Sequence, residues 1–347
     1  MRTPVLLALY VLSFLASAAG LRALLGFPEA SGLKRKLAHY EADPEGFEVV
    51  FVGSSNVLCS VLPDVFREEL KLRGHDVRAY NLGVPGMLSF ETDHLVRHVL
   101  ETRPERLRWM FVELTEWRPD PRMSDPTERT VFWHTPERTA AMLETARSYE
   151  GLGGRELFDF ARDHLELCLW RLGNVGRVQQ RLMLLLGARE PDRWTGLMTP
   201  AVEGGYLALE EIGHEGAEKG RERFLADMGR YQNQVAELRR QEVPAGPPAA
   251  HLVPPAERQL AFFEGTGVEP IHVLFATSHP TPTLLQLGAE EGPLPELWAF
   301  NDPRAHPELY KPRSRYDSRH LNRPGAERLT RLLAQRFADH LDRAQGQ

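Results

Sequence analysis

Glu48-Val49-Val50-Phe51-Val52-Gly53-Ser54-Ser55-Asn56 is the stretch on which the reading of the whole chain turns. Four apolar residues in a row, three of them β-branched, are expected to form a short strand buried on both faces, as in a parallel sheet. Gly-Ser-Ser then leads toward a helix. In open parallel sheets, ligands and reacting groups gather beyond the carboxyl ends of the strands, where Ser55 falls. A helix start also leaves backbone N–H groups free to stabilise a developing oxyanion. A serine that merely caps the helix after a glycine turn reads the same residues equally well. No lysine follows at the spacing of a phosphate-binding loop.

Working outward, residues 63–73 read as a helix, 77–82 as a second strand, 90–101 as a second helix and 109–114 as a third strand. A fourth strand is expected at 271–276 and a short fifth at 297–300. The last helix begins after Asn322 as N-cap, with Pro324 in its first turn and a buried stripe of Leu329, Leu333, Phe337 and Leu341. Strand and helix alternate, which implies an α/β fold with parallel pairing. The alternation breaks over about 119–267. There the segments 136–149, 155–186 and 221–241 have helical spacing, and 244–255 is rich in Pro and Gly. We read this stretch as a largely helical insertion covering one end of the sheet. Its apolar run around Leu165, Leu167, Leu169, Trp170 and Leu172 is expected in packed core, with a membrane-lying surface as the alternative.

A chain of 347 residues can bury one large core or two ordinary ones, and 42% hydrophobic with 26% charged residues is a globular composition. The net charge of -6 argues against nucleic acid as partner; the longest basic run is Lys34-Arg35-Lys36. Cys59 and Cys168 are read as two buried thiols, one bridge being the alternative. At the N-terminus, Thr3 to Leu21 carry no charge. They fit either a membrane anchor or a cleaved secretory signal ending at Ala16-Ser17-Ala18. Arg22 and Lys34 to Lys36 follow the apolar stretch, so the positive-inside rule alone would favour the opposite topology; export is nevertheless expected. Residues 1–21 are thus a signal peptide or anchor, 22–46 a polar linker, and 47–345 the folded domain.

The second decisive stretch is Asp317-Ser318-Arg319-His320-Leu321-Asn322, directly before the last helix. An Asp and a His three residues apart can meet through carboxylate and imidazole, leaving the other ring nitrogen free as a general base. With the strand-Gly-x-Ser of the first stretch, the pattern resembles the SGNH/GDSL hydrolase superfamily over residues 48–118 and 270–345. That resemblance implies a flavodoxin-like three-layer α/β/α sandwich with Ser55 as nucleophile, His320 as base and Asp317 behind it. It also implies an oxyanion hole made by the N–H groups of Ser55 and Gly86, the glycine of Val84-Pro85-Gly86. Ser54 stands where many members have Asp. The third block, usually Gly-x-Asn-Asp, reads Glu113-Leu114-Thr115-Glu116-Trp117, so the oxyanion-donating asparagine is missing. Asn56, Glu116, Trp117 and His279 are candidate substrate contacts. Trp117 could stack on a sugar or pack under the insertion, and His279 is a structural or substrate-contact residue rather than a second base. No metal is expected, because His134, His164, His214 and His306 lack ligand spacing, and no cofactor.

With its N-terminal segment and insertion, the chain looks most like the membrane-associated branch that moves acyl groups on cell-surface polymers. The expectation is therefore an exported esterase or O-acyltransferase for an acylated carbohydrate or cell-envelope polymer, with a membrane-bound acyl donor protein as a candidate partner. The alternative is a catalytically degenerate domain that binds surface polysaccharide or a partner protein.

Overall fold

Val49–Gly53 form strand β1, whose every residue is buried, and the sheet grows from it in both directions. The computed structural model describes residues 2–25, 31–102, 105–117, 128–173, 186, 202–211, 215–279 and 281–346. The strands β1, β2 (Ala79–Gly83), β3 (Trp109–Glu113), β4 (Glu269–Leu274) and β5 (Leu297–Ala299) pair in the order β2-β1-β3-β4-β5, all parallel. The helices, in chain order, are α1 (Arg2–Leu25), α2 (Ser31–Ala42), α3 (Ser55–Leu58), α4 (Pro63–Lys71), α5 (Ser89–Glu101), α6 (Glu128–Trp133), α7 (Pro136–Arg147) and α8 (Gly154–Leu172). They continue with α9 (Glu215–Ala226), α10 (Met228–Leu238), α11 (Val253–Ala261), α12 (Pro282–Leu285) and α13 (Arg323–Gln345).

The described chain falls into two compact units, Met1–Lys34 with Arg118–Trp194, and Arg35–Trp117 with Thr195–Gln347. The second holds the sheet. One of its faces is aromatic: the Phe51 ring lies 4.7 Å from Phe111 and 5.1 Å from Phe66 of α4, and Phe337 of α13 stacks on Phe66 at 5.7 Å. Leu329, Leu333 and Phe337 are fully buried there, as the four-residue spacing requires. The opposite face takes α5 and α11. Gln259 of α11 donates to Asp93 of α5 at 2.6 Å and faces His272 of β4 at 2.8 Å. Helices on both faces of a parallel sheet make a three-layer α/β/α sandwich. Strand order reverses at β1, and the crevice beyond the carboxyl ends of β1 and β3 is where such sheets bind ligands.

Several boundaries differ from the sequence reading. The stretch 119–267 does not fall in a single unit: α9, α10 and α11 belong to the sheet's own unit, and α11 reaches the sheet through Gln259, which faces His272 of β4. Pro254 and Pro255, read as loop residues, sit in the first turn of α11, where proline's missing N–H costs nothing. The segment 221–241 is two helices, broken at Asp227, which caps α10 by accepting from Arg230 N at 2.9 Å. Within the polar linker, residues 31–42 form α2. Of the expected helix 155–186, α8 covers the part to Leu172; residues 174–185, the start of the insertion at Pro119 and His214 lie outside the described residues.

The first unit contains α1, α6, α7 and α8. Leu167 and Cys168 of α8 are buried, whereas Leu165 and Leu169 are exposed, so the run expected to be core is core on one side only. Among the described residues, no helix is long and apolar enough to cross a membrane. The apolar side chains of α1, including Val5, Leu9, Leu12 and Phe14, are exposed. Cys59 and Cys168 are free thiols, both buried.

Candidate functional site

The turn after β1 is built for close approach. A Cβ on Gly53 would lie 2.5 Å from the Cβ of Glu113, so only glycine lets the neighbouring strand end pass. Ser54 is the N-cap of α3, in extended conformation, its hydroxyl accepting from Asn56 N at 3.2 Å. Ser55 is therefore the first residue of α3. Its Oγ lies 2.9 Å from His320 Nε2, across 265 residues of sequence.

Behind the imidazole, Asp317 faces His320 Nδ1 at 3.0 and 3.1 Å and also accepts from the backbone N–H of His320 (2.8 Å) and Arg319 (2.7 Å). Burial pushes the Asp317 carboxyl up. The His320 side chain and the two backbone N–H groups outweigh it and hold the acid at about 2. An ionised carboxylate can only accept, so the ring proton sits on Nδ1, and Nε2 turns its lone pair to the serine hydroxyl.

The loop that carries this pair is stapled from below. Arg315, fully buried, donates to Ala276 O beyond β4 at 2.9 Å and to Ser318 O at 2.8 Å. Arg315 also forms an antiparallel bridge with Leu321. Arg221 of α9 donates to the carbonyls of Arg315 (2.9 Å) and Tyr316 (2.6 Å). Asn322 then caps α13 by accepting from Gly325 N at 3.0 Å.

Glu113, the last residue of β3, stands at the block where the resemblance leads one to look for an oxyanion-donating asparagine, and it does something else. Buried under the nucleophile turn, it accepts from Ser54 N at 2.5 Å, Ser54 Oγ at 3.0 Å and Asn56 Nδ2 at 2.8 Å. Burial raises its pKa, opposed by those three donors and by His320. Asn56 thus spends its amide on Glu113 rather than on open space.

On the other flank, Gly53 and Gly83 are partners in register, and Val84 N donates to Gly53 O at 2.8 Å. Val84-Pro85-Gly86-Met87 is a tight turn closed by Met87 N to Val84 O at 3.3 Å, with Gly86 at φ 63°. Gly86 is exposed at its tip, and its own N–H takes no part in the bond that closes the turn. Asn81 Nδ2 donates to Val57 O (2.8 Å) and Val61 O (2.7 Å) at the end of α3. Lys36 of α2, which is buried, donates to the carbonyls of Asn81, Gly83 and Gly205 at 2.7 to 2.9 Å. Burial draws its ammonium down to about 7.

The remaining expected contacts differ in exposure. Trp117 is 1% exposed, so its ring is core rather than an open stacking surface. Glu116 is half-buried after β3, its carbonyl accepting from Ser89 Oγ at 3.5 Å. His279 is exposed after β4 and lines a cleft with Asp317, Ser318 and Arg319. Sequence reasoning missed Glu113, Lys36, Asn81, Arg221 and Arg315. Only Asn81, an amide within an otherwise apolar strand, carried a local sign of its role.

Comparison of the chain with protein-family models, curated proteins and solved structures finds no match.

Proposed function

We propose that the protein is a serine-dependent acyl-ester hydrolase or O-acyltransferase of the SGNH/GDSL kind, acting on an acylated carbohydrate or cell-envelope polymer. One observation carries this reading: a serine hydroxyl at a helix start lies 2.9 Å from an imidazole whose other nitrogen faces an ionised carboxylate. Ser55 Oγ attacks the ester carbonyl as its proton passes to His320 Nε2. Asp317 keeps the proton on Nδ1 and stabilises the imidazolium. The N–H groups of Ser55 and Gly86 face the tetrahedral oxyanion. Collapse returns the proton from His320 to the leaving alcohol. Water or a sugar hydroxyl, deprotonated by the same imidazole, then takes the acyl group from Ser55.

Export belongs to the same proposal, with the N-terminal segment either retained in the membrane or removed as a signal. The uncharged run Thr3 to Leu21 and the exposed apolar side chains of α1 support it. A membrane-bound protein as acyl donor would fit the transferase form.

A fluorophosphonate probe tests the chemistry, because it needs an activated serine and no knowledge of the substrate. The wild type is expected to label at Ser55, with labelling abolished in Ser55→Ala and slowed at least a hundredfold in His320→Ala. A folded wild type that stays unlabelled would overturn the enzyme reading. It would select instead the degenerate domain that binds polysaccharide or a partner protein, which the missing third-block asparagine favours.

A further inference from the structure

One hydrogen-bond chain joins a buried cation to a buried carboxylate through the two turns of the site. Lys36 Nζ donates to Gly83 O at 2.7 Å. The N–H of the same peptide unit, on Val84, donates to Gly53 O at 2.8 Å. The next peptide unit passes its own N–H, on Ser54, to Glu113 Oε2 at 2.5 Å. Ammonium, two peptide groups and carboxylate thus lie head to tail, an order in which each bond strengthens the next. The ladder bond between the ends of β2 and β1 is ordinary for parallel strands. A buried charge at each end of it, of opposite sign, is unusual, because neither is cheap to take from water.

Three carbonyls meet at Lys36, those of Asn81, Gly83 and Gly205, and an ammonium is the one side-chain group with three donors on a single atom. Each carbonyl belongs to a different support of the site. Gly83 ends β2 and leads into Val84-Pro85-Gly86. Asn81 holds α3 through its side chain, which donates to Val57 O and Val61 O. Gly205 closes the turn 202–205, and the chain beyond it reaches α3 as well, Leu207 N donating to Leu58 O at 3.1 Å. That turn fits closely: a Cβ on Gly205 would lie 2.3 Å from Asn81 O. An apolar residue at position 36 would leave three carbonyls without this donor, where the supports of Ser55 and Gly86 meet.

We propose that Lys36 is a positioning residue of the ester-cleaving site: it and Glu113 are the charged ends of a hydrogen-bond chain that sets the Gly86 turn against the Ser55 turn. The proposal rests on the serine-ester reading and adds to it a residue from the helix that precedes the sheet. Lys36 touches no reacting atom. It fixes where the two oxyanion-binding N–H groups stand relative to each other, so its loss is felt in the transition state and spares substrate binding.

The test uses full-length protein and p-nitrophenyl acetate, with active sites counted by fluorophosphonate labelling to completion, so that unfolded protein does not enter the rate. Lys36→Met, of similar length and without donors, should lower kcat about tenfold to a hundredfold. KM should stay within about twofold, the mark of an interaction made in the transition state alone. Lys36→Gln, which keeps two donors, should lose less, and it stands in for Lys36→Met if that variant does not fold. In the cycle with Glu113→Gln, the double variant should be at least about fivefold faster than the product of the single losses, because either change breaks the same chain. In the wild type, NMR should find the Val84 and Ser54 amides exchanging with solvent only on global unfolding. Unchanged kcat per active site, a loss confined to KM, additive losses, or rapid exchange at Val84 or Ser54 would each overturn the proposal. A wild type that fluorophosphonate does not label would discard the esterase reading and this role with it. A labelled wild type with Lys36→Met unaltered would discard the role alone.

Discussion

Glu113 shows how much a single side chain can decide at this site. It receives three hydrogen bonds, from Ser54 N, Ser54 Oγ and Asn56 Nδ2, and so fixes the residues on either side of the nucleophile. All three partners donate, which only a carboxylate can satisfy with both oxygens. Glutamine at this position has the same shape but accepts at one atom only, so the Ser54 hydroxyl and the Asn56 amide must both reverse their hydrogen bonds or lose them. Glu113→Gln should therefore destabilise the protein by about 1–3 kcal/mol, the usual cost of an unsatisfied buried polar group. It should also slow fluorophosphonate labelling more than the loss of folded protein accounts for, because Ser55 loses its fixed approach to His320. Thermal unfolding and labelling rates measured on the same preparations check this. A variant with unchanged midpoint and rate would mean that Glu113 only fills space.

At the level of elements, the short helix α3 depends on a close approach to β2. A Cβ on Gly83 would stand 2.3 Å from Leu58 N, a backbone atom, while Asn81 ties the end of the same helix to Val57 O and Val61 O. Neither side can yield cheaply, so Gly83→Ala should push α3 aside at about 1–3 kcal/mol and carry Ser55 out of reach of His320. Gly154→Ala in α8, where an added Cβ meets nothing within 4 Å, is the control expected to leave labelling intact. Unaltered labelling in Gly83→Ala would separate α3 from the position of the nucleophile. The same elements show what sequence could reveal. Val49 to Val52, the Asn322 cap and the four-residue stripe of α13 announce themselves through neighbours in the chain, whereas the segments 48–56 and 317–322 pointed to chemistry only when taken together. The linker helix α2 could not be read from its neighbours. Its anchor is Lys36, whose partners are carbonyls 45 and more residues away, and Lys34-Arg35-Lys36 reads as solvated charge. For α11, Pro254-Pro255 suggested a loop because the same residues serve loops and helix starts. Glu113 was unreadable for a related reason: a carboxylate ending a buried strand makes sense only once the turn above it is known to offer three donors.

For the molecule as a whole, buried histidines set the response to acid. In the sheet unit, Gln259 donates to Asp93 and so turns its oxygen to His272, which must donate from Nε2; His272 Nδ1 is buried without a partner. In the other unit, His134 Nδ1 faces Thr130 O at 2.6 Å, so its Nε2 accepts from His164 Nδ1 at 2.7 Å, leaving His164 Nε2 buried and unpartnered. Burial lowers the pKa of His272 to about 4. Burial, together with the neighbouring His134, takes His164 to about 3 against a weak opposing pull from Asp163, and burial also lowers His134. The sign follows from linkage. Above the ordinary value of 6.5 folded and unfolded states are both neutral at these positions, and stability is unaffected. Below it the unfolded chain takes up protons that the folded chain refuses, so stability is lost steadily as pH falls toward about 4 and then 3. Each pKa unit is worth about 1.36 kcal/mol, so His164 and His272 should each cost about 2 kcal/mol by pH 5. That corresponds to a fall of roughly 4–8 °C in the melting midpoint per histidine. Melting curves from pH 7.5 to pH 5 measure the slope, and His272→Gln, which cannot titrate, should flatten it by the share of one proton. A midpoint level down to pH 5, or a slope that His272→Gln leaves untouched, would show that protonation reaches these rings without unfolding the protein.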